Sequence, residues 1–239
     1  MLRAIDKRLH NKDHHSSGKY VKSFVYGGLD GIITTFAVVA GAAGASLGSG
    51  IVLILGFANL FADGISMAVG DYLSTKSEVE YGKAEKKVEE SHVKKSKKHE
   101  INSLIKIYMK KGFSKKDSIK LAGILCKNKD VCVDILLADE LGITQENKHP
   151  WKNALTTFLS FAFFGFIPLL AFVLGRVMNI GNVFNVAIIL TGITFFILGS
   201  VKVKITGKNW VTSGIETLVI GGVTALVAWL IGHGLAGLV

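Results

Sequence analysis

Four carboxylates stand where an apolar chain has least use for them: Asp30, Asp63, Asp71 and Glu216 each lie inside a stretch of small and aliphatic residues. A charge at the centre of a membrane helix costs about 2.5–3.5 kcal/mol on insertion scales, so such a group is a functional hypothesis by default. Counted inward from the nearest basic flank at 1.5 Å per residue, Asp30, Asp63 and Glu216 reach a common depth of roughly 12–15 Å. Three carboxylates at one level on three segments are expected to converge on one cation. Asp71 lies close to the boundary, where an interfacial, solvated acid and a first ligand for an incoming ion fit equally well.

Asn59, Asp63 and Met67 are spaced i, i+4, i+8, and Ser66 and Gly70 fall on the same helical side. Carboxylates suit hard divalent cations, and a thioether shifts preference toward softer transition metals. Ordinary packing also accounts for Met67 alone. A second stripe lies in a polar region. Glu78, Glu85, Glu89, His92 and His99 share one face of a helix, with Glu85, Glu89 and His92 on consecutive turns. These spacings are workable for Fe²⁺, Mn²⁺ or Zn²⁺. A solvated face explains them too, since lysines flank the stripe at 83, 86, 87, 94 and 95. Asp134, Asp139 and Glu140 are further oxygen donors nearby. Cys126 and Cys132, and His10, His14 and His15, fit no closed zinc pattern.

The elements that hold these groups follow from hydropathy and charge. Five apolar stretches, roughly 23–46, 50–73, 153–175, 182–203 and 210–238, each supply the ~20 residues a spanning helix needs. Pro168 is a candidate kink in the third. Residues 74–150 are polar and rich in helix formers, predicting a long helix that continues the second span. Shorter helices follow over 101–111, over 114–127 capped by Ser114, and over 130–141 ending at Gly142. Pro150 marks the return to the membrane. The expected fold class is therefore all-α: a polytopic membrane protein with five transmembrane helices and a helical cytoplasmic insert between the second and third. Its parts are an N-terminal tail (1–22), the first two spans (23–73), the insert (74–150) and the last three spans (151–239).

Composition supports this division. The 239 residues are 49% apolar and 19% charged, against about 25% charged in a soluble domain. The net charge of +10 is not spread like that of a nucleic-acid binder. Residues 74–150 hold 17 of the 28 basic and 12 of the 18 acidic residues, so no nucleic-acid partner is expected. Lys and Arg alternate between the flanks of the five spans, which predicts a cytoplasmic N-terminus and insert and a C-terminus on the opposite side. The tail lacks the apolar core of a signal peptide and is expected to stay uncleaved. Two cysteines give no disulfide framework, and nothing in the sequence calls for an oxidising compartment.

Together these residues resemble the vacuolar iron transporter family. The resemblance rests on YGGLDGIITTFAVVAGAAGA (26–45), ANLFADGISMAVGDYLSTKSE (58–78), LADELGI (137–143), IPLL (167–170) and SGIETLVIGG (213–222). The A-D-G-x-S-M form of the second block is closer to prokaryotic members. The resemblance implies a homodimer exchanging Fe²⁺, often also Mn²⁺, for protons. It places Asp30 and Met67 at family transport positions. In the insert it aligns Glu85 and Glu89 with metal-binding glutamates and His92 with a further acidic position. The chain departs from plant members in carrying Asn59 where they have a glutamate, with Asp63 one turn later. Leu136 and Leu137 stand where plant members can have methionines.

The functional expectation is a secondary transporter that moves Fe²⁺, and with it Mn²⁺, from the cytosol against protons. Its partners are the metal ions, protons, the bilayer and a second copy, with no permanently bound cofactor. The membrane would be the cell membrane in a prokaryote and a vacuolar or other endomembrane in a eukaryote. No Walker A motif is present for ATP-driven pumping. An intramembrane aspartyl protease would need Y-D and G-x-G-D; Leu29-Asp30 and Ala68-Val69-Gly70-Asp71 fail both. A membrane-anchored metal-sensing protein without transport would leave Asp30, Asp63 and Glu216 unexplained.

Overall fold

The computed structural model describes residues 18–144, 148–178, 181–201 and 209–237. The histidines at 10, 14 and 15, most of the N-terminal tail, and Lys202, Lys204 and Lys208 lie outside these residues. Among the described residues the chain forms seven helices: α1 (Gly18–Gly44), α2 (Ser49–Lys110), α3 (Lys115–Leu125), α4 (Lys129–Asp139), α5 (Pro150–Met178), α6 (Val183–Val201) and α7 (Trp210–Leu235). Five of them, α1, α2, α5, α6 and α7, contain windows long and apolar enough to cross a membrane. The chain is a multi-pass membrane protein, all-helical among the described residues.

The residues separate into two compact units. One comprises 1–72 and 150–239, the other 73–149. In the membrane unit the core is built from Ile32, Phe36 and Val39 of α1, Leu60 of α2, Phe161, Leu169 and Phe172 of α5, and Phe195 and Leu198 of α6. Lipid offers apolar helices no hydrophobic drive to associate, so close backbone approach has to hold them together. Glycine permits it. A Cβ on Gly27 would lie 2.5 Å from the backbone oxygen of Thr157, and one on Gly199 would lie 2.5 Å from that of Ser213. These positions seat α1 on α5 and α6 on α7. Pro150 opens α5, where a missing N–H costs nothing, and the helix continues through Pro168 to Met178.

The second unit has its own core of Val93, Leu104, Tyr108, Ala122, Val133, Leu136 and Leu137. Ser114 caps α3 by accepting from the Asp117 N–H, and Asn128 caps α4. Gly142 takes φ +68° just past α4, and Gly112 takes φ +99° in the turn after α2, both left-handed conformations that suit glycine. Two findings depart from expectation. A continuous helix through the nineties is interrupted at Ser96 (φ −149°, ψ 69°). Cys126 and Cys132, six residues apart, are joined in a disulfide at the α3–α4 corner, with both residues buried. Two cysteines make no disulfide framework, and the sequence does not signal this single local bridge.

Candidate functional site

Within the membrane unit, Asp30 on α1 and Asp63 on α2 are both half-buried. Asn59, one turn before Asp63, keeps its Nδ2 buried with no hydrogen-bond partner among the described residues. Amide N and O are interchangeable by a flip, so this position presents either a donor or an oxygen ligand to the interior. Met67, one turn after Asp63, is half-buried and packs against the apolar core. Ser66 and Gly70 are exposed. Glu216 lies on an exposed face of α7.

Asp71 has a different setting. Its Oδ2 accepts a hydrogen bond of 2.9 Å from the Ser23 hydroxyl of α1 and a short one from the Thr157 hydroxyl of α5. Both donors are buried. The carboxylate thus joins three helices at the end of the unit. Beside it, the Ser160 hydroxyl donates to the Phe24 carbonyl at 2.6 Å, fixing the same α1–α5 contact.

In the second unit the predicted stripe divides. Glu78 pairs with Lys148 at 2.8 Å, tying the start of the unit to its end. Glu85 is half-buried and stands apart from the cluster, and His99 is exposed. Glu89 and His92 do meet, with His92 Nδ1 at 3.6 Å from Glu89 Oε2. The third member is Glu100: one donor atom each from Glu89, His92 and Glu100 lie within 4.8 Å of one another. Sequence periodicity missed Glu100 because eleven residues of unbroken helix would separate it from Glu89 by about 16 Å along the axis. The break at Ser96 removes that separation. The available signal was weak. Lys94 and Lys98 repel at i, i+4, and serine offers the backbone competing hydrogen bonds, but neither glycine nor proline marks the spot.

Glu89 is 8% exposed, and its Oε1 is buried without a hydrogen-bond partner. Burial raises its carboxyl above the ordinary glutamate value. Repulsion from Glu100 adds to this, His92 opposes it, and Glu140 of α4 contributes a further upward push. Of the other acids proposed as oxygen donors, Asp134 is held by Lys86 at 2.8 Å and Asp139 by Lys111 at 2.6 Å. Leu136 and Leu137 are buried in the apolar core and offer no sulfur. A pair of buried glutamates beside an imidazole, with one oxygen unsatisfied, is a costly arrangement that a divalent cation would neutralise.

Residues 21–233 match the VIT family. Among similar proteins, the vacuolar iron transporter of Toxoplasma gondii is 38% identical over 93% of this chain and 77% of its own length. That of Plasmodium falciparum is 36% identical over 95% and 86%. Vacuolar iron transporter 1 of Arabidopsis thaliana is 29% identical over 92% and 88%.

Proposed function

The chain belongs to the VIT family, and on that footing we propose that it is a transporter, not an enzyme, carrying Fe²⁺ and also Mn²⁺ out of the cytosol in exchange for protons. The observation that carries the proposal is a half-buried carboxylate on each of two successive membrane helices, Asp30 on α1 and Asp63 on α2. Each carboxylate holds either a share of a divalent cation or one proton. Competition for the same oxygens couples the two fluxes, and charge balance at the pair calls for two protons per ion. Asn59 and Met67 extend the ligand face one turn to either side, Met67 favouring transition metals. The names of the relatives point to an endomembrane.

The unit spanning 73–149 captures metal on the cytosolic side through Glu89, His92 and Glu100. Cytosolic placement follows from the Lys and Arg bias of its flanks. A reducing cytosol would open the Cys126–Cys132 bridge, leaving both sulfurs in apolar surroundings. A homodimer is supported by Glu216. A carboxylate exposed on an apolar span is expensive against lipid and is relieved when a second copy covers it.

The test is metal uptake into proteoliposomes with an acidic interior and several competing metals. Accumulation of Fe²⁺ with a matching rise in interior pH is expected. Metal binding without accumulation would support a membrane-anchored metal-binding protein instead.

A further inference from the structure

The cluster at Glu89, His92 and Glu100 differs from an all-carboxylate site by one imidazole, and the geometry around that imidazole is specific. We propose that His92 is the selectivity determinant of this cluster, tuning it to divalent metals that accept a nitrogen ligand in a tetrahedral shell. Zn²⁺ and Co²⁺ rank first, Fe²⁺ next, and Mn²⁺, Mg²⁺ and Ca²⁺ last. The inference rests on the reading of residues 73–149 as a metal-capture unit and narrows the class of ion it takes.

Three observations carry it. First, the donor set is two carboxylates and one imidazole nitrogen. Hard ions such as Mg²⁺ and Ca²⁺ favour oxygen alone, whereas imidazole suits zinc and the later first-row metals, and affinity at nitrogen-containing sites rises from Mn²⁺ toward the end of the row. Second, the separation of His92 Nδ1 from Glu89 Oε2 is 3.6 Å. A tetrahedral ion with bonds of about 2.0–2.2 Å has ligand–ligand edges of roughly 3.3–3.6 Å. An octahedral Mg²⁺ with bonds of about 2.0–2.1 Å requires edges of only about 2.9 Å. The Glu89–His92 separation falls at the upper end of the tetrahedral edge and well beyond the octahedral one, with a Glu100 donor within 4.8 Å of both. Third, Glu89 Oε1 is buried and unpartnered on a side chain only 10% exposed, while the His92 side chain is 53% exposed. The glutamate is the buried side of the cluster and the imidazole its solvent-facing side. Replacing the imidazole should change selectivity without disturbing the apolar core.

The experiment uses the full chain in detergent, in an Asp30→Asn/Asp63→Asn background that silences the membrane pair. Co²⁺ is the probe, because its visible absorption is intense in a tetrahedral shell and weak in an octahedral one. The expected result is an intense Co²⁺ band displaced by Zn²⁺ at a concentration at least about tenfold lower than by Mn²⁺. His92→Glu should collapse the band to the weak octahedral form and lower the Zn²⁺-to-Mn²⁺ preference about tenfold or more. Glu100→Gln should weaken all three ions together and leave their ratio unchanged. A Co²⁺ band and a Zn²⁺-to-Mn²⁺ ratio that survive His92→Glu would overturn the proposal, as would a wild-type cluster that prefers Mn²⁺ or gives no Co²⁺ band. Transport by the chain with its aspartates intact, measured in parallel, separates the two readings. Absent transport counts against the transporter, and intact transport with an unaltered band counts against His92 alone.

Discussion

Glu89→Gln should act in opposite directions on the metal-free and metal-loaded protein. Without metal, Glu89 is a buried carboxylate with an unpartnered Oε1, and burial together with repulsion from Glu100 disfavours its ionised form. Glutamine keeps the shape, removes the repulsion, and supplies an N–H that Glu100 can accept. A buried unsatisfied polar group costs about 1–3 kcal/mol. Relief of 1–2 kcal/mol slows local opening by roughly 5–30-fold. The assay is amide hydrogen exchange over residues 85–104 of the full chain at neutral pH. The substitution should slow exchange in the absence of metal and abolish the extra protection that metal confers on the wild type. At 100 times its dissociation constant an ion should protect the wild type by about 2.7 kcal/mol. The sign with pH follows from the raised carboxyl. Its stabilising contribution is complete below the ordinary glutamate range of about 4.3 and is lost as pH climbs through the raised Glu89 value. The advantage of glutamine should therefore vanish in acid. Faster metal-free exchange in Glu89→Gln at neutral pH would refute the reasoning.

Asp71→Ala strands two buried hydroxyls, Ser23 and Thr157, and should destabilise the membrane unit by about 2–6 kcal/mol in detergent melts. Asp71→Asn keeps an acceptor and should lose less than half as much; an Asn variant that is fully stable yet fails to transport would instead make Asp71 a ligand. Gly27→Ala drives a methyl into the Thr157 backbone and should cost about 1–3 kcal/mol by overpacking, read from the same melts. Single cysteines at Ser91 and Gly237 should be labelled from opposite sides of a sealed vesicle; labelling from one side would contradict five crossings.

Much of the architecture was legible because membrane helices announce themselves by apolar length alone, and the five stretches are five helices. Ser114 and Gly142 were legible because a cap and a left-handed terminus each demand particular residue types. Depth, a quantity that helix rise makes countable, made Asp30 and Asp63 candidates for one shared ion. What stayed hidden depended on contacts between helices. Asp71 reads as an isolated acid until α1 and α5 bring hydroxyls to it. Glu100 is invisible to periodicity because one residue, Ser96, leaves the helical conformation without a glycine or proline to signal it. The Cys126–Cys132 bridge belongs to the same class, since a six-residue spacing does not reveal that two short helices meet at that corner. Counting along the helix puts Glu216 at the depth of the aspartates, yet it is exposed on α7, because depth fixes height along a helix and says nothing of which side faces the core.

The central claim is that one carboxylate pair binds metal and proton in turn. The most direct test is metal flux and intravesicular pH recorded together in proteoliposomes for wild type, Asp30→Asn, Asp63→Asn and Met67→Leu. Both asparagine substitutions preserve size and remove the exchangeable charge, so Fe²⁺ flux and the accompanying pH change should disappear together while the protein remains folded. Met67→Leu keeps a core side chain of similar volume and should lower Fe²⁺ flux without altering stability or the protons moved per ion. Normal flux with unchanged proton coupling in both aspartate variants would contradict the account.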